Sequence, residues 1–140
     1  MTTPNQAREI IYAAFAAVFG ALDPEVPFAF DNEEFTPPDA SAGLSWVHLT
    51  VKEADSAQET LGPVGGRRYQ RTGVVAAQFY VPANGGTARA DALVKVFRDT
   101  FEGVTLSGVY FLNCQVVELG IEGASWRVNA LASFWFEETK

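Results

Sequence analysis

The most regular pattern in the chain lies in its middle. After Gly65-Gly66 and the arginines Arg67, Arg68 and Arg71, positions Val75, Ala77, Phe79 and Val81 fall on one side of a period-two alternation that stops at Pro82. Such a repeat predicts a long strand with one buried face. Pro82-Ala83-Asn84-Gly85-Gly86 predicts a turn. From Thr87 the apolar spacing changes to three and four, through Ala88, Ala92, Leu93, Val96, Phe97 and Phe101, which predicts an amphipathic helix. Thr87 is placed to cap that helix and Gly103 to end it. A long strand that returns a helix onto its own sheet is the nucleus of an α+β domain.

The flanks extend this pattern. Residues 4–22 predict a first helix, with Ile11, Phe15, Val18, Phe19 and Leu22 as its apolar stripe and Gly20 and Asp23-Pro24 as its stop. Pro27 to Phe30 reads as a short extended segment, followed by a turn-rich connection, Asp31 to Asp39, in which Pro37 and Pro38 forbid helix. Leu44 to Lys52 alternates as a strand, with Val47, Leu49 and Val51 inward and Trp46, His48 and Thr50 outward. Glu53 to Gly66, polar and glycine-rich, predicts a long flexible connection to the central strand. Val104 to Leu119 is β-rich, with Asn113-Cys114-Gln115 as a bulge or bend. Ser125 to Glu137 is the last strand. Trp126, Val128, Ala130, Ala132, Phe134 and Phe136 share one face, while Leu131 and Trp135 make the other too apolar for open solvent. The element order is therefore α-β-β-β-α-β-β-β.

Length changes the picture little: 140 residues predict one domain, 1–140, with a core that needs no disulfide or metal. With 48% apolar and 19% charged residues, the chain is predicted to fold as a soluble protein. The pattern predicts neither a secretory leader nor a membrane span, the longest apolar stretch, Ile10 to Phe19, being too short. Cys114 is the one cysteine and fits a reducing compartment. Charge is more informative. The net charge of −7 is unevenly placed: residues 1–60 hold ten acids against Arg8 and Lys52, whereas residues 61–140 hold seven acids against eight bases. An acidic half beside an arginine cluster argues against a broad nucleic-acid surface. It suits copies that meet through opposite charge, or simply a solvated acidic surface.

No catalytic, cofactor or metal site emerges from the spacing. Asp31, Glu33 and Glu34 lack the alternating oxygens and glycine of a calcium loop. Gly85-Gly86 precedes a helix without the lysine of a phosphate-binding loop. His48 with Cys114 is formally a base and a nucleophile, but no local motif joins them. Glu118 with Glu122, or Glu137 with Glu138, could be imagined as acid–base pairs, and charged strand ends explain both more cheaply.

One ordered set of motifs remains. Phe30-Asp31-Asn32 and Phe35-Thr36-Pro37-Pro38 are followed by a strand, then by Leu61-Gly62 before the arginine pair Arg67-Arg68. Gly73 comes next, then Tyr80-Val81-Pro82 with Gly86, Phe101-Glu102-Gly103, and a last strand opening at Trp126. This order, over about residues 5 to 138, resembles the small tail-terminator-like and tail-completion proteins of long-tailed bacteriophages. The resemblance implies a single mixed, largely antiparallel sheet with two helices on one face. It also implies a non-enzymatic structural role, without cofactor: a ring of identical subunits, hexameric in many members, that ends the tail tube. The implied partners are other copies of the chain, the tail tube protein and the head–tail connector, in a virion tail assembled in the host cytoplasm, with no specific nucleic-acid recognition and no membrane. Another virion assembly role, as connector or minor tail protein, stays open, as does a small-ligand-binding or enzymatic α+β domain with a closed apolar pocket. For the ring contact, like charge at Arg67, Arg68 and Arg71 asks for an acidic partner, and Asp31, Glu33 and Glu34 of a neighbouring subunit are the candidates.

Overall fold

The computed structural model describes residues 2–22, 26–38 and 44–140. Its elements run α1 (Pro4–Phe19), β1 (Phe28–Ala29), β2 (Trp46–Gln58), β3 (Arg68–Pro82), α2 (Ala88–Phe101), β4 (Thr105–Leu106), β5 (Val109–Glu122) and β6 (Ser125–Thr139). The predicted order of helices and strands is the observed one. The strands form one curled sheet in the order β1-β2-β3-β6-β5-β4. Only β1 pairs in parallel, through Phe28 with Val47, and all other neighbours are antiparallel. The two central strands, β3 and β6, stay in register from Arg68 opposite Thr139 to Pro82 opposite Ser125.

The alternation of the sequence becomes the two faces of this sheet. Val75, Ala77, Phe79 and Val81 of β3 and Val128, Ala130, Ala132, Phe134 and Phe136 of β6 are buried, and both helices lie on that face. α1 contributes Ile11, Phe15 and Phe19, and α2 contributes Leu93, Phe97 and Phe101. Ring contacts run from Phe15 through Phe19, Phe79, Phe97, Phe101 and Phe111 to Phe134, tying both helices to the middle of the sheet. Each such side chain, fully buried, contributes roughly 1.5–3 kcal/mol of transfer free energy.

The helix ends divide differently. Thr3 caps α1 in a reciprocal arrangement with Gln6, its hydroxyl accepting from the Gln6 amide and the Gln6 side chain accepting from the Thr3 amide. Thr87 stands at the start of α2 but its hydroxyl makes no cap bond, because its backbone is helical (φ −104°, ψ −6°) rather than extended. Gly103, at φ +68°, turns the chain out of α2 as predicted, and its amide donates to the Leu112 carbonyl at 2.8 Å.

The largest departure from expectation is Glu53 to Gln58. Its sequence has no apolar face and reads as loop, yet it continues β2 and pairs with β3 as far as Gln58 opposite Tyr69, after a bulge at Ala54. The whole segment is exposed, so backbone pairing and polar links hold it in place of burial. Arg71 donates to the Ser56 hydroxyl, and the Thr72 hydroxyl donates to the Asp55 carbonyl. The irregular connection shrinks to residues 59–67. The expected irregularity near Cys114 is a register shift: Phe111 opposes Phe134, and Cys114 opposes Ala132. The extra residue restores Cys114 and Val116 to the buried side, where they pack on the core.

Candidate assembly surface

The arginine cluster lies at the far end of the β2–β3 hairpin, where β6 also ends. Its members have separate fates. Arg71 continues the buried row of β3, and Glu138 continues the buried row of β6, so the two meet on the helix side of the sheet. The guanidinium pairs with the Glu138 carboxylate at 2.7 Å, both side chains being less than one-fifth exposed, and lies over the Tyr69 ring. Arg68 points to the other face and meets Glu137 at 3.6 Å. Arg67 donates from Nε to the Gly62 carbonyl, while its backbone exchanges two hydrogen bonds with Lys140. Among the described residues no carboxylate pairs with Arg67.

The acidic segment sits elsewhere, along the outer edge of β2. Asp31 accepts from the Thr50 hydroxyl and from the Val51 amide, and lies 3.4 Å from His48 Nε2. Glu33 accepts from the Phe30 amide, and Glu34 is exposed. Arg8 of α1 closes the same edge by donating to the Val51 carbonyl. Within one chain, then, none of the three arginines reaches Asp31, Glu33 or Glu34. Arg71 and Asp31 have side-chain partners inside their own subunit; Arg67 and Glu34 have no ion pair among the described residues.

The residues weighed for chemistry stay apart. His48 is on β2 and on the helix-free face; Cys114 is on β5 and on the buried face. Three strand spacings, roughly 14 Å, separate those strands before the difference in face is counted. Burial pushes the Cys114 thiol up to about 11, helped by the Glu102 carboxylate, which also accepts from the Cys114 amide. A thiol so placed is a poor nucleophile at neutral pH. Glu137 and Glu138 face opposite sides and hold separate arginines, and Glu122 pairs with Arg127 across the β5–β6 hairpin. No group of three or more metal-binding side chains occurs among the described residues.

The helix-free face is partly apolar, as Leu131 and Trp135 predicted. Trp135 stacks on Tyr110 with ring centroids 4.4 Å apart, and Trp46 stacks on Tyr80 at 3.9 Å. Between them runs an open cleft of about 510 Å³ bordered by His48, Thr50, Lys52, Gln78, Asn129 and Leu131. It is a furrow across a sheet, in which His48, Gln78 and Asn129 stand side by side in one cross-strand row.

Sequence reasoning missed two apolar patches. Leu61 and Val64, at the tip of the hairpin, are 94% and 84% exposed. They sit in a glycine- and proline-rich turn whose composition masks them. Val117, Leu119 and Ile121 of β5 are also exposed, and belong to a run that reads as an ordinary buried strand until β5 is known to border open solvent.

Two helices packed by aromatic side chains against one mixed six-stranded sheet define an α+β protein. The comparisons agree with that class. The model of the phage tail terminator protein family matches residues 10–125, most of the chain, and the chain belongs to that family. One solved structure, of a protein whose name carries no functional description, is similar with a TM-score of 0.66 at 20% identity, covering 95% of this chain and 96% of that chain. At that identity the likeness shows the shared fold. No curated protein matches. No helix among the described residues is long and apolar enough to cross a membrane.

Proposed function

We propose that this protein forms a ring that ends a phage or prophage tail tube and takes part in joining tail to head. The family match over residues 10–125 carries the reading, since it makes the chain a phage tail structural protein. The shape of the subunit supports the finer statement. A broad, rigid sheet with hydrogen-bonded central strands provides a wall, and exposed patches at its periphery provide contacts between copies. A contact between two different patches closes into a ring when the rotation per subunit divides a full turn. The ring meets the tail tube protein on one side and the head–tail connector on the other, assembles in the host cytoplasm, and needs no cofactor. Arg67 and Arg68 supply basic charge to the contact between subunits.

The test is tail assembly in a phage or prophage carrying this gene. Loss of the gene leaves tubes of uncontrolled length and heads without tails, and the wild-type protein in trans restores both. Tubes of normal length in its absence would refute the termination role, and joining defects alone would instead indicate a connector.

A further inference from the structure

We infer that the subunits join through the tip of the β2–β3 hairpin of one copy, seated on the outer edge of β5 of the next. This rests on the ring reading above and names its two surfaces. The tip is built to protrude. From Glu53 to Gln58 every residue of β2 is exposed, and β3 and β6 run beside it as far as Arg68 and Thr139, so that the turn of residues 59–66 alone extends past the strands. At its end Leu61 and Val64 are almost wholly in water, beside Arg67, whose charge no carboxylate of the described residues offsets. Isolated exposed leucines are common, but two aliphatic side chains this bare on a Pro-Gly turn bury apolar area only when a partner arrives.

The acceptor has the complementary character. Beyond the short β4 no described strand lies along the outer edge of β5; Leu112 and Cys114 are held there by Gly103 and Glu102, and from Val116 onward no hydrogen bond crosses that edge among the described residues. A bulge between Glu118 and Gly120 takes Leu119 out of the ladder. Val117, opposite Asn129, faces the helix-free side, and Ile121, opposite Trp126, faces the other, so three apolar side chains wrap the edge. Glu118 lies among them, exposed and without an ion pair among the described residues. The tip thus offers apolar side chains and Arg67 to an apolar edge that carries Glu118.

Position selects the same pair. The hairpin tip stands where β3 begins, and the exposed part of β5 lies beside the start of β6, which pairs with the end of β3. The two patches are on opposite flanks and at opposite ends of one sheet. They can therefore both be occupied at once, as a head-to-tail ring requires. The acidic segment from Asp31 to Glu34 runs along β2, on the same flank as the arm, and its Asp31 is already engaged.

The test uses the full chain and two double variants, Leu61→Asp/Val64→Asp and Leu119→Asp/Ile121→Asp, followed by mass photometry over a concentration series. Wild type forms closed oligomers. Each variant keeps the wild-type unfolding midpoint, since its sites are exposed, and loses association by about a hundredfold, the scale of two aliphatic side chains no longer buried. An equimolar mixture gives a dimer and nothing larger, because only one intact tip and one intact edge can meet. Wild-type oligomers from either variant, or their loss in Glu33→Gln/Glu34→Gln instead, overturn these surfaces and leave the ring reading standing. A wild-type chain that is monomeric at every concentration and on tail tubes overturns both.

Discussion

Arg71 and Glu138 meet at 2.7 Å on the helix side of the sheet, one at the end of the buried row of β3 and the other at the end of the buried row of β6. Glu138 is 8% exposed, so its charge is tolerable only because the guanidinium makes two contacts with it. Glu138→Gln keeps the shape and removes the charge, leaving Arg71 largely buried with a weaker partner. The expected cost is about 1.5–3 kcal/mol, the scale of a charged hydrogen bond, read as a lower midpoint in urea. Arg71→Ala is expected to cost a similar amount. Removing all three arginines together would consequently mix a loss of fold with a loss of assembly, whereas Arg67→Ala/Arg68→Ala leaves the midpoint within about 0–1 kcal/mol of wild type, since Arg68 is exposed in its ion pair and Arg67 has none among the described residues.

The hairpin arm gives a prediction with a sharp boundary. Amides of Asp55 to Glu59 that point at β3 are hydrogen-bonded, the last through Glu59 donating to the Arg68 carbonyl. Those between Thr60 and Val64 have no backbone partner in the ladder. Hydrogen exchange in a dilute, unassembled sample should be fast for residues 60–64 and at least tenfold slower for the bonded amides of the arm, about 1.4 kcal/mol in opening free energy. Uniformly fast exchange from Glu53 onward would show that the arm is not paired in solution.

Why some of this was legible in sequence and some was not follows from what each element uses for stability. Strands and helices with a buried face announce themselves, because burial imposes a period of two or three to four on the apolar residues. β3, β6, α1 and α2 are of that kind. Glu53 to Gln58 is held by backbone bonds and by Arg71 and Thr72, none of which imposes a period, so it reads as loop. The Arg71–Glu138 pair was within reach: both residues keep the parity of the buried faces, Val75 to Val81 in one strand and Val128 to Phe136 in the other. What hid it was the register between β3 and β6, which the sequence does not state. Without that register, the sequence alone leads Arg67, Arg68 and Arg71 to acids of a neighbouring copy. The β5 edge was illegible for another, since Val117, Leu119 and Ile121 become a surface only through the strand order.

Cys114 should titrate late. Its burial and the neighbouring Glu102 carboxylate favour the neutral thiol and raise its pKa from 9.0 to about 11. Alkylation of the folded protein by iodoacetamide should therefore be slow at pH 8 and rise with a midpoint near 11. The sign for stability follows from the same shift. Below pH 9 the thiol is protonated in both states and contributes nothing to the slope. Between about 9 and 11 the unfolded chain releases its proton while the folded chain keeps it, so stability falls as pH rises. Cys114→Ser should remove that part of the alkaline slope. Combined with His48→Ala, it should leave tail assembly intact, and failed assembly with the fold preserved would argue for chemistry at these residues.

Gly73 is where the sheet has no room for a side chain. It opposes Glu53 of β2 and Phe134 of β6, at the level where β2 begins its bulge. A Cβ placed there would lie 2.4 Å from Phe134 Cζ and 2.6 Å from the Lys52 carbonyl oxygen. Phe134 is 2% exposed and touches both Phe111 and Phe136, so its ring cannot swing aside without disturbing the core. The Lys52 oxygen is backbone of the ladder and cannot move without opening β2 from β3. Backbone freedom is not the reason for glycine here, since no positive φ is involved; space is. Gly73→Ala should thus cost more than the roughly 1–3 kcal/mol typical of one added carbon in a packed core, because one of its two collisions is with backbone. The paired variant Gly73→Ala/Phe134→Leu separates the two collisions. If the ring carries most of the cost, Gly73→Ala lowers the urea midpoint less in the Phe134→Leu background than in wild type. If the Lys52 carbonyl does, the two losses add, and exchange of the arm amides beyond Glu53 accelerates in both glycine variants.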